Sequence, residues 1–78
     1  MSTELRRRSV RILLDKVAAV RYPSPTLLDR VEGALTTQED TEEYIGLLLD
    51  TIERERFPSP MFVERALRLV ETLESAAP

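Results

Sequence analysis

Arg21-Tyr22-Pro23-Ser24-Pro25 recurs thirty-five positions later as Arg56-Phe57-Pro58-Ser59-Pro60, and these two copies decide how the chain is built. Their flanks repeat as well. Leu13-Leu14-Asp15 matches Leu48-Leu49-Asp50, Val17 matches Ile52, and Asp29-Arg30 matches Glu64-Arg65. Across positions 13–30 and 48–65 eight of eighteen residues are identical, and the other apolar positions stay in phase. Chance does not account for such a match.

Each copy carries two signals of opposite sense. Tyr22 and Ser24 both precede a proline, whose ring pushes the preceding residue out of the α region, so a helix running into the motif has to stop. A helix can also begin there. Ser24 can accept from the free amides of the next turn, and Pro25 fits the first helical position, where its missing N–H is no loss. Pro23 at N′ and Leu28 at N4 are placed to form a hydrophobic staple. Tyr22-Pro23-Ser24-Pro25 and Phe57-Pro58-Ser59-Pro60 are therefore read as structural corners.

Four helices follow from the apolar periodicity. The first is expected over about 4–21, with Thr3 or Ser2 as N-cap, and Val10, Leu13, Leu14, Val17, Ala18 and Val20 on its inner side. The second, over about 25–35, presents Leu27, Leu28, Val31, Ala34 and Leu35. Thr36 with Glu39 reads as a capping box opening a third helix that runs to about 56. Its inner face is Tyr44, Ile45, Leu48, Leu49 and Ile52, widened by Leu47, and acidic residues at 39, 40, 42 and 43 suit the positive end of the helix dipole. The fourth, over about 60–73, carries Phe62, Val63, Ala66, Leu67, Leu69, Val70 and Leu73, and residues 75–78 read as a frayed end.

A helix-corner-helix unit cannot bury its apolar face alone. The expected fold is all-α, a compact four-helix domain over 1–78. Its two repeats, about 4–38 and about 39–73, are set face to face with approximate two-fold symmetry. Tetratricopeptide arrays have a similar period, but their Trp, Gly and Tyr signature is missing and two copies are too few to stack stably. The corners hold no carboxylate and no central glycine, so an EF-hand-like calcium loop is excluded.

Composition narrows function. With no cysteine and no histidine, thiol chemistry, disulfides and the commonest general base and metal ligand are all missing. No glycine-rich phosphate loop or nucleophile elbow appears. The expectation is a protein that is not an enzyme, with no cofactor, no metal and no evident small-molecule substrate. The apolar runs are too short for a membrane span and no cleavable signal peptide is evident, so a cytoplasmic setting is expected. Asp15 and Asp50 are the only carboxylates worth testing as a catalytic pair. Their structural reading is ion pairing with Arg11 and Arg54 four residues away on the same helix faces, or a bridge to the neighbouring helix.

Arg21 and Arg56 are expected in the last turns of their helices, where a cation assists the free carbonyls. Tyr22 and Phe57 are expected to plug the ends of the bundle, with stacking platforms for bases or ligands as the alternative.

Arg6, Arg7, Arg8 and Arg11 form the candidate partner-binding cluster, because consecutive cations at a helix N-terminus oppose its dipole and do nothing for the helix itself. Three readings compete. The cluster is solvated or paired internally, with Arg7 and Arg8 aligned in the repeat with Glu42 and Glu43; it meets an acidic protein surface; or it contacts nucleic-acid phosphates. Ile12, Leu47 and Leu69 lie off the main stripes and are candidates for an exposed patch serving a homodimer or a partner helix. The leading expectation is a small protein-interaction module, and the alternative is a nucleic-acid-binding regulator that uses the basic end of the first helix.

Overall fold

The computed structural model describes residues 3–76, which form four helices: α1 (Thr3–Ala19), α2 (Pro25–Ala34), α3 (Gln38–Arg54) and α4 (Pro60–Ala76). The all-α fold expected from periodicity is the fold observed. Both corners stop and start helices as their prolines dictate. Ser24 is the N-cap of α2, its Oγ accepting from Leu27 N at 3.1 Å, with Pro25 at the first helical position. Ser59 plays the matching part for α4, its Oγ accepting from Met61 N at 3.2 Å and its carbonyl from Phe62 and Val63. Pro23 and Leu28 are both buried, as a staple requires.

The helix ends differ from the sequence expectation in an instructive way. α1 stops at Ala19 and α3 at Arg54, so Arg21 and Arg56 lie beyond the last turns. Ala19 is four residues before Pro23, and Arg54 four before Pro58. A proline cannot donate to the carbonyl four residues back, and its ring collides with that carbonyl, so the helix closes at that residue and not at the one preceding the proline. Val20 N and Glu55 N instead turn back three residues, to Val17 O and Ile52 O, at 3.3 Å each.

Three further boundaries move. The N-cap of α3 is Thr37, not Thr36: Thr37 Oγ1 accepts from Asp40 N at 3.1 Å. Thr3 is already within α1, and Ser2 lies outside the described residues. α4 continues through Ser75 to Ala76, past the end expected near 73, while 77 and 78 lie outside the described residues.

α1 packs on α2 and α3, and α3 packs on α4. α1 and α3 run in the same direction, tied by Arg11, midway along α1, to Glu43 in the second turn of α3, and beyond their ends by Arg21 and Glu55. The core is Val10, Leu14 and Val17 of α1, Leu28 and Val31 of α2, Tyr44 and Leu48 of α3, and Phe62 and Ala66 of α4.

The body is flat, measuring 42 × 32 × 17 Å, with a radius of gyration of 12.7 Å against about 11.5 Å for a typical chain of this length. Helices pack with axes about 8–10 Å apart, so this thickness holds two layers at most. Outer faces then have no helix to cover them. Leu49 and Leu67, expected in the core, are 48% and 59% exposed, and Ala18 and Val20 also face outward.

Candidate interaction surface

The two corners sit together. Tyr22 of the first and Phe57, Pro58 and Ser59 of the second line one cleft of about 180 Å³, with Thr51, Ile52 and Glu55 from the end of α3 and Phe62 from α4. Because both preceding helices stop four residues before a proline, these aromatic residues lie on linkers outside the bundle. Tyr22 is 63% exposed and Phe57 85%, so neither plugs an end of the core.

Each ring instead lies beside the arginine before it, the Arg21 guanidinium carbon 5.2 Å from the Tyr22 ring centre and that of Arg56 5.5 Å from Phe57. These are cation–π distances. Arg21 Nε also donates to Glu55 Oε1 at 3.2 Å, linking one corner to the other. That hydrogen bond, aided by the nearby Tyr22 and the Glu55 charge, holds the Arg21 pKa above its ordinary value.

The arginine cluster is divided by the structure. Arg11 makes two hydrogen bonds to the Glu43 carboxylate, one of them Nη1 to Oε1 at 3.1 Å, and a 3.2 Å ion pair to Asp15. The bond to Arg11 lowers the Glu43 pKa. Arg6, Arg7 and Arg8 are exposed, and among the described residues none of them forms an ion pair. Glu43 is thus taken by Arg11, not by the Arg8 with which it aligns in the repeat.

The two aspartates also part. Asp15 pairs with Arg11, whereas Arg54 Nη2 donates to Thr51 Oγ1 at 3.2 Å and makes no ion pair with Asp50. Of the three apolar residues expected off the main stripes, Ile12 is exposed, but Leu47 and Leu69 pack against the core.

One group of polar residues escaped the sequence reading. Arg65 of α4, with 11% of its side chain exposed, donates from Nη1 to Glu32 Oε2 at 2.7 Å and from Nη2 to Asp29 Oδ1 at 2.8 Å, both on α2. Tyr44 Oη of α3 donates to the same Glu32 oxygen at 2.6 Å. Burial opposes the charge on Arg65, but Glu32 and Asp29 outweigh it and raise its pKa. A signal was present. Arg65 lies three residues after Phe62, and Glu32 lies four after Leu28 and three before Leu35, so opposite charges interrupt two apolar stripes.

Among the described residues, no group of three or more acidic side chains is arranged to hold a metal ion, and no helix is long and apolar enough to cross a membrane. Comparison with protein-family models, with curated proteins and with solved structures returns no match.

Proposed function

We propose that this chain is a non-enzymatic protein-interaction module that engages another protein, or a second copy of itself, through the edge formed by its two Pro-Ser-Pro corners. One observation carries the reading. The chain has four aromatic residues; Tyr44 and Phe62 are buried, while Tyr22 and Phe57 stand exposed around a single cleft. A domain this small has little apolar surface to spare, so leaving half of its aromatic rings in water opposes stability. Aromatic residues and arginine are the side chains that dominate protein interfaces, and here each exposed ring has an arginine against it.

The cleft's size favours the same conclusion. At about 180 Å³ it falls below the ~300–1,000 Å³ of small-molecule pockets, and suits one anchoring side chain of a partner. The sequence adds its own support, since it lacks histidine and cysteine.

Light scattering coupled to size exclusion, with a pull-down from the native host, tests this reading. Wild type should self-associate or retain a partner, and Tyr22→Ser with Phe57→Ser should abolish that association while leaving the helical content unchanged. A strict monomer that retains no partner counts against the proposal.

A further inference from the structure

At the other end of α1 lies a second, open depression, between the first turns of α1 and the last turn of α2. It encloses about 550 Å³. Leu5, which is 63% exposed, and Ala34 give it apolar surface above the buried Val10, Gly33 brings backbone to its floor, and Arg6 and Arg30 line it as well.

Gly33 is the informative residue. It lies within α2, its φ is not positive, and a Cβ placed on it would meet nothing within 4 Å. Neither backbone conformation nor packing in the isolated chain requires glycine there, although glycine in a helix is less favourable than alanine by up to about 1 kcal/mol. What it does is keep the floor of the depression at the level of the backbone, which lets another chain approach closely.

The charges on the sides are likewise unexplained by the fold. Among the described residues, neither Arg6 nor Arg30 forms an ion pair, and Arg7 and Arg8 extend the positive surface along a helix start whose dipole they oppose. Asp29, the one acid lining the depression, is held by Arg65. On a chain of net charge −3, this is a local basic surface around an apolar floor.

We propose that this groove is a docking site for an acidic amphipathic helix of a partner protein. The partner's apolar stripe would lie over Leu5, Gly33 and Ala34, and its flanking carboxylates would meet Arg6 and Arg30. Phosphate contacts in nucleic acid need no apolar floor. Asp40, which borders the adjoining depression with Arg6 and Arg7, places negative charge beside the cluster. A helix whose carboxylates flank a single stripe can turn an uncharged face to Asp40, whereas a duplex, charged along its whole length, cannot. The site is separate from the corner edge, and neither proposal depends on the other.

The test uses the full chain and three labelled probes followed by fluorescence anisotropy. One is a peptide of about 18 residues with leucines spaced i, i+3, i+4, i+7 and glutamates on either side. The second has lysine in place of every glutamate, and the third is a short DNA duplex. The glutamate peptide should bind and shift the amide resonances of Gly33 and Ala34. Arg6→Glu with Arg30→Glu, both at exposed positions, should weaken it about tenfold or more. Gly33→Phe, which fills the floor, should weaken it as well while circular dichroism stays that of wild type. The proposal is overturned if no peptide binds, if the lysine peptide binds equally well, if neither set of substitutions changes the affinity, or if the duplex binds more tightly than the glutamate peptide.

Discussion

Tyr44 and Glu32 share a 2.6 Å hydrogen bond, and the glutamate oxygen that accepts it also receives Arg65 at 2.7 Å. One carboxylate oxygen thus joins α2, α3 and α4. Tyr44 is completely buried, and this arrangement gives its hydroxyl a hydrogen-bond partner within the protein.

Removing Arg65 should therefore destabilise the fold more than removing any exposed charge. Arg65→Ala leaves Glu32, itself mostly buried, without its cation, at a loss of about 2–4 kcal/mol. Tyr44→Phe deletes one hydrogen bond, at about 1 kcal/mol. Asp29→Ala should cost no more than about 0.5 kcal/mol, because the Asp29 side chain is largely exposed. Urea unfolding followed by circular dichroism gives all three values, and an Arg65→Ala effect no larger than that of Asp29→Ala would refute the ranking.

Stability should also fall in alkali. Burial, reinforced by the hydrogen bond to Glu32, pushes the Tyr44 phenol far above the ordinary tyrosine value of about 10. The unfolded chain loses this proton above pH ~10 while the folded chain keeps it. The associated stability is complete below that pH and is lost progressively above it. Urea midpoints measured from pH about 8 to about 11.5 should decline, and less steeply in Tyr44→Phe, which has no proton to lose.

Helix capping separates two adjacent threonines. Thr37 Oγ1 accepts from Asp40 N, and its carbonyl accepts from Thr41 N at 3.1 Å, whereas Thr36 makes no capping contact of this kind. Thr37→Ala should cost about 1 kcal/mol, a fall in Tm of about 4–8 °C for a domain of this size. Thr36→Ala should stay within about 0.5 kcal/mol. Equal effects at both positions would contradict the assigned cap.

The same threonines show where sequence alone reaches its limit. Thr36 precedes Glu39 by three residues and Thr37 precedes Asp40 by three, so the local signal fits either frame, and only the direction in which the chain leaves α2 selects one. The corners were legible because proline restricts its neighbours whatever surrounds it. The helix ends at Ala19 and Arg54 are legible too, in the clash of Pro23 and Pro58 with the carbonyl four residues back. Exposure of Leu49 and Leu67 was not, since an apolar stripe does not reveal whether a second layer of helices covers it. The Glu32–Arg65 bridge needed α2 and α4 to be placed side by side. Arg30, which matches Arg65 in the repeat, is exposed and forms no ion pair among the described residues, so the repeat itself gave no warning.

The central claim is that the corner edge meets another protein chain. It is tested most directly by placing a photocrosslinking phenylalanine analogue at position 57 or 22, and at the exposed Arg68 of α4 as a control, in the native host. Irradiation should give a discrete higher-mass adduct from positions 57 and 22, either with a partner or with a second copy, and none from 68. Absence of any adduct at the two corner positions, or the same adducts from all three, would contradict the account.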